Sequence, residues 1–202
     1  MKLTRVFVLA FAASCLTVAA QAVVLDFEDV TTDQFGNPIP SGGFSFDFDT
    51  QGWGIFTNGF TSFNRVQNGT TTLAFSGDTQ ISGGNGFVLF KPQDDSAFSL
   101  EGFDSAVFHG PLGNGGIVVT GFYEAGGSTS QVFTITNQWQ SFNLNASFVG
   151  LDRVEVRDAL AGSFNVIPGV QLDNLRYNAV PEPATLAALG LGAAALMRRR
   201  RK

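Results

Sequence analysis

The sequence is short of the residues on which most site chemistry rests. Among 202 residues there is one cysteine, Cys15, and one histidine, His109. Cys15 lies in an apolar N-terminal stretch, so the chain beyond it has no disulfide framework, cysteine zinc site or cysteine nucleophile. His109 sits in Phe108-His109-Gly110-Pro111, and a Ser-His-Asp arrangement would have to be built on it. A lone histidine in such a turn is far more often incidental. Tryptophan and tyrosine are scarce too, with two of each. Between the chain ends there is no helical periodicity of apolar residues.

Basic residues are concentrated outside the central body. Lys2 and Arg5 are near the start, and Arg198, Arg199, Arg200, Arg201 and Lys202 near the end. Residues 23–179 keep Arg65, Lys91, Arg153, Arg157 and Arg176 against sixteen acids, a net charge of −11. That balance excludes nucleic acid as a partner, because phosphate neutralisation needs clustered Lys and Arg. It suits solubility outside a cell and the binding of divalent cations.

Both chain ends read as addresses. Lys2 and Arg5 precede the apolar run Val6–Ala20, and Ala20-Gln21-Ala22 follows as an Ala-x-Ala cleavage site, the pattern of a Sec-type signal peptide over residues 1–22. Cleavage after Ala22 makes Val23 the first mature residue. A competing lipoprotein reading uses Cys15 after Ala12-Ala13-Ser14, but the Leu expected three positions ahead of the cysteine is missing. At the other end Val180-Pro181-Glu182-Pro183 is followed by apolar Ala184–Met197 and the basic cluster. The prolines stop preceding structure and keep the chain extended. As a helix the apolar stretch would span about 21 Å, short of the roughly 30 Å hydrocarbon core. Snorkelling arginines and local thinning would close that gap.

Pro181, Glu182 and Pro183, the short apolar helix and the basic stop Arg198–Arg201 together resemble the PEP-CTERM signal of Gram-negative bacteria. The resemblance covers residues 180–202 and implies processing by an exosortase, a membrane protease or transpeptidase, often encoded beside exopolysaccharide genes. It also implies export through signal peptidase and the Sec translocon, transient membrane anchoring by the C-terminal helix, and release to the cell surface or medium. The competing reading is a plain C-terminal membrane anchor.

The roughly 157 residues between these ends are a single-domain length. They carry short runs rich in Val, Ile, Phe and Thr, cut by Gly, Asn, Asp and Pro. Phe44, Phe46 and Phe48 alternate with Ser45 and Asp47, the period of a half-buried strand. Further strands are expected at 23–28, 71–75, 86–91, 117–124, 131–136, 141–144, 153–157 and 171–177. Nine or ten strands without helices predict an all-β antiparallel β-sandwich of jelly-roll type. Twenty-one phenylalanines supply rings to fill it. The glycine-rich stretches 82–86 and 113–116 lack the context and the lysine of a phosphate loop and read as turns.

The order of Leu25-Asp26-Phe27-Glu28-Asp29, Asn137-Gln138-Trp139-Gln140 and Gln171-Leu172-Asp173-Asn174 resembles the galactose-binding-like jelly rolls of carbohydrate-binding modules. The resemblance implies neighbouring first and last strands, a core Trp139, and a structural Ca²⁺ held by Glu28 and Asp173, with Asp26 or Asp29 as helpers. The competing reading of these acids is solvated strand ends. Asp47/Asp49 and Asp94/Asp95 lack calcium-loop spacing and are expected to face water. Sugar binding needs aromatic faces beside hydrogen-bonding groups, which nominates Trp53 and Tyr123, although packing is the commoner role for either. The function expected is an exported, exosortase-processed surface or matrix protein that binds or organises extracellular polysaccharide without catalysis. The rivals are a purely structural or adhesive protein and a glycan-active hydrolase or lyase.

Overall fold

Alternation of large apolar with small or polar residues settles the backbone into strands, because each pleat turns one set inward and the other out. A computed structural model describes residues 22–32, 34–35, 38–48, 54–56, 72–75, 87–107, 114–159, 170–180, 190 and 192. These contain thirteen strands: β1 Val23–Leu25, β2 Gln34–Phe35, β3 Ile39–Ser41, β4 Phe44–Phe48, β5 Gly54–Phe56, β6 Thr72–Phe75, β7 Phe87–Pro92, β8 Phe98–Val107, β9 Asn114–Tyr123, β10 Ser128–Thr136, β11 Gln140–Asn143, β12 Leu151–Asp158 and β13 Val170–Ala179. The fold is all-β and antiparallel, as the sequence predicts. Residues 1–21 of the signal peptide, His109, Trp53, Pro181–Pro183 and Arg198–Arg201 lie outside the described residues.

Pairing divides the strands into two leaves. The first runs β3-β4-β7-β12-β9-β10, and the second runs β2-β5-β6-β13-β8-β11 with β1 also on β13. A single bridge, Leu151 to Phe98, joins β12 to β8 and makes the assembly nearly barrel-shaped. On the far side of the first leaf, β10 pairs only with β9 among the described strands. There the Gln131 side chain stands in for a ladder, donating to Asn143 O at 3.5 Å and accepting from Asn145 N at 3.0 Å. Thr129 and Ser147 hydroxyls meet at 2.6 Å along the same seam. The first and last strands are neighbours, with Val23 opposite Tyr177 and Leu25 opposite Leu175.

Phenylalanine fills the space between the leaves. Phe27, Phe46, Phe90, Phe98, Phe103 and Phe148 are all fully buried. Phe46 meets Phe27 edge-on with centroids 5.4 Å apart, and Phe90 at the same 5.4 Å. Phe44 meets Phe98 at 5.2 Å and Tyr177 at 4.8 Å. Such offset and edge geometries put the positive ring edge against a neighbour's negative face. Trp139 differs from expectation: it is half-buried in the β10–β11 connection and lies outside the buried core cluster. The strand expected at 23–28 stops at Leu25, because Phe27 takes a left-handed φ of 60° and Val30 N donates back to Phe27 O at 3.0 Å.

β8 was not anticipated. Its sequence, Phe98-Ser-Leu-Glu-Gly-Phe-Asp-Ser-Ala-Val107, mixes polar residues and a glycine into what becomes a ten-residue strand of the second leaf. Nearly all of it is buried, because β13 lies on one side, β11 on the other and the first leaf beneath. Short β2, β3 and β5 were likewise not anticipated.

Replacing Phe46 by Ala deletes a ring buried on all sides and should cost about 3–5 kcal/mol. Urea unfolding followed by far-UV circular dichroism checks this; a loss below about 1 kcal/mol would show that the core collapses around the gap.

Candidate functional site: the outward face of the first leaf

The first leaf turns Phe46, Val88, Phe90, Val154, Val156, Ile117 and Val119 inward. Register then dictates what faces out. One row across it reads Asp47, Leu89, Glu155, Thr120, Ser130. To one side Arg153 pairs with Phe122, and to the other Arg157 pairs with Phe87. Both phenylalanines are only half-buried, unlike the core rings.

Each outward ring carries a guanidinium. Arg153 Cζ lies 4.5 Å from the Phe122 centroid, and Arg157 Cζ lies 5.0 Å from that of Phe87. Both distances are within range of attraction between a cation and the ring quadrupole. Carboxylates fix the guanidiniums laterally. Arg153 Nη1 meets Asp152 Oδ2 at 2.6 Å, while Arg157 donates to both oxygens of Glu155, Nη2 to Oε2 at 3.0 Å. Four residues of β12 separate the two platforms, about 13 Å along the strand. Between them Thr120 and Ser130 hydroxyls meet at 3.0 Å. Lys91 on β7 pairs with Asp95 at 2.5 Å, which holds the ammonium pKa above its ordinary value through that hydrogen bond first and the carboxylate charge second. Three of the body's five basic residues thus share this face, each beside a carboxylate.

Phe87 and Phe122 were missed by sequence reasoning. Twenty-one phenylalanines look alike in composition, and only register separates inward from outward. A weak signal was present: Phe87 and Phe90 lie three apart in one strand, so the pleat turns them to opposite faces.

The nominated residues fare differently. Tyr123 packs against the core, and its hydroxyl donates to Ser147 O at 2.7 Å. Asp173 is buried in β13 and accepts from Asn174 N at 2.7 Å, whereas Glu28 is exposed beyond β1. Pairing of β1 with β13 brings their chain segments side by side. Among the described residues no three His, Cys, Asp or Glu side chains are grouped to hold a metal. The possible helpers close turns: Asp26 Oδ1 accepts from Glu28 N at 3.2 Å, and Asp29 accepts from Ser41 Oγ at 2.5 Å and Gly42 N at 2.8 Å. Gly42 has φ 53°, and a Cβ there would collide with Leu25. Asp47 is half-buried, and Asp94 and Asp95 are exposed.

The second leaf holds a polar cluster that sequence reasoning also missed. Asp104 on β8 accepts from Ser141 Oγ at 2.6 Å, Arg176 Nη1 at 3.0 Å and Asn174 Nδ2 at 2.9 Å. Arg176 Nη2 donates onward to Phe142 O at 2.8 Å. Gly102 makes this possible, since a Cβ there would run into Phe142 O and the guanidinium. A bulge in β13 between Asp173 and Arg176, with Asn174 at φ 49°, aims the amide at the carboxylate. Burial raises the Asp104 pKa, but the hydrogen bonds from Ser141, Arg176 and Asn174 and the Arg176 charge outweigh it and hold it below the usual range. The carboxylate's contribution is therefore fully present above its unfolded value near 4 and lost as pH falls through the lower folded value. Asp104→Ala should cost about 2 kcal/mol at pH 7. In urea melts at pH 7 and pH 3 the gap to wild type should narrow at the acid end; an equal gap at both would reject the ionic contribution.

No curated protein sequence matches this chain. Among solved structures, a family 29 carbohydrate-binding module is similar at 14% identity and TM-score 0.48, covering 81% of this chain and 98% of that one. A second structure of that module family aligns at 15% identity and TM-score 0.45, covering 82% and 98%. An agarase aligns at 15% identity and TM-score 0.47 over 82% of this chain, which spans only 26% of the agarase. At the C-terminal end, residues 179–202 match the PEP-CTERM protein-sorting motif, so in this protein the last strand of a β-sandwich runs directly into a sorting signal.

Proposed function

We propose that this is an exported, exosortase-sorted surface or matrix protein whose β-sandwich binds extracellular polysaccharide through the outward face of the first leaf, without catalysis. The sorting motif supports the first half of this reading. One observation carries the second: two guanidinium-stacked phenylalanines stand on a solvent-facing sheet, with hydroxyls and a carboxylate in the row between them.

A sugar ring presents C–H surface to an aromatic face and hydroxyls to its rim. The arginine–carboxylate pairs place donors and acceptors side by side at that rim, and their short contacts fix both. Two platforms about 13 Å apart suit a chain of sugars better than a single ring. Charge points to an uncharged glycan. The cations of this face are each beside an acid, and a body of net charge −11 repels a polyanion.

Phe122→Ala and Phe87→Ala should each weaken binding about tenfold or more, with the fold unchanged because neither ring belongs to the core. Titration calorimetry against neutral oligosaccharides (mannan, cellulose and agarose fragments) and a purified exopolysaccharide measures this. Affinity should hold steady as salt is raised. Absence of saturable binding to any glycan would leave the structural or adhesive reading, and turnover of the polymer would favour the hydrolase.

A further inference from the structure

The chain enters and leaves the sandwich at one pole. β1 begins at Val23 opposite Tyr177, three residues before the last described hydrogen bond, Val180 N to Ala97 O at 3.0 Å. Beyond Val180 only Pro181, Glu182 and Pro183 precede the apolar segment that starts at Ala184. The four steps from Val180 to Ala184, fully extended, reach at most about 14 Å. The headgroup layer outside the hydrocarbon is roughly 5–8 Å thick on each side. Once the apolar segment enters the bilayer, this pole is tethered to within about 10 Å of the headgroup surface.

Apolar side chains are exposed at that pole, alongside the exposed acids Asp94 and Asp95 that precede Ala97. Among the described residues the exposed large hydrophobics are Val23 at 49%, Val24 at 50%, Val132 at 66% and Val149 at 57%. Val23 and Val24 lie on the β1 edge beside the end of β13. Val149 precedes Leu151, which pairs with Phe98, itself opposite Ala179, and Phe148 O accepts from Leu100 N at 3.0 Å. Three of the four therefore flank the point where the sorting signal departs. Val132 is the exception: it pairs with Val118, which faces Arg157, six residues along β12 from Leu151 and about 20 Å away.

We propose that this pole is a membrane-docking surface, on which Val23, Val24 and Val149 rest in the headgroup region while the sorting tail occupies the bilayer. The inference rests on the tail being membrane-resident before processing. The bilayer is the occupant because the short linker keeps the pole beside it. Contact is apolar, so it does not need the basic patch that an acidic body lacks. The Arg153–Phe122 platform then lies nearer the membrane and the Arg157–Phe87 platform further out, leaving the binding face open to the exterior.

The test uses the chain from Val23 to Lys202, which has no cysteine of its own, reconstituted in phosphatidylethanolamine–phosphatidylglycerol liposomes. Single cysteines at Val149→Cys, Val132→Cys and Ala194→Cys carry an environment-sensitive fluorophore. The Val149→Cys label should shift to the blue, lose most of its quenching by aqueous iodide, and be quenched by headgroup nitroxide. The Val132→Cys label should behave as in water. An Ala194→Cys label in the hydrocarbon with a Val149→Cys label as iodide-accessible as Val132→Cys would overturn docking while sparing the tail reading. An Ala194→Cys label left in water would reject the membrane-resident tail and the docking with it. Protection at Val149→Cys that needs no lipid and rises with protein concentration would assign the surface to a second copy and overturn the proposal.

Discussion

The antiparallel pairing of β13 with β8 is the constraint on which the rest of the sandwich depends. It brings the last strand against the middle of the chain from Val170 opposite Val107 to Ala179 opposite Phe98. β1 and β6 then share the other side of β13, and β11 completes β8. The pairing is highly non-local, so its closure entropy must be offset by what it brings together. Part of that is the apolar face of Phe98, Leu100, Phe103, Leu172 and Leu175. Part is the Asp104–Arg176 pair, which sits where the β13 bulge breaks the ladder and replaces lost backbone hydrogen bonds with charged ones.

That arrangement shows how a partly buried charge pair is tolerated. Asp104 keeps three donors and Arg176 adds a carbonyl acceptor, so neither group loses its water without replacement. The absence of a side chain at Gly102 is the steric condition for it. On the first leaf the same residue types serve a different end. Arg153 and Arg157 are paired with carboxylates but remain on an open face, stacked on rings that the core does not use. The two leaves thus divide their labour between holding the last strand in place and presenting a surface.

Most strands were legible because their residues alternate. Phe44–Phe48 reads as a strand at sight, and β4 has those bounds. β8 was illegible for a physical reason: Glu101, Gly102 and Asp104 look like a turn unless one knows that Arg176 crosses the glycine and pairs with the aspartate. Very short β2, β3 and β5 carry too few residues to show a period. The candidate face was legible only in its arginines. Phe87 and Phe122 were hidden among many phenylalanines, whereas Tyr123, rare and therefore conspicuous, proved to be tied to the core and to Ser147.

The sequence by itself determined the sorting signal, the all-β class, the aromatic filling and the acid-rich body. Each of these is a matter of composition, period or contiguous motif, and survives without knowing which strand lies beside which. Tertiary structure alone decided which phenylalanines face water, which arginines lie over them, and that the last strand, which leads into the sorting signal, ends beside the first. Those are facts of register and strand order. A shift of one residue reverses a strand's two faces, and no local pattern in this chain fixes the pairing of residues seventy positions apart, as in Asp104 with Asn174.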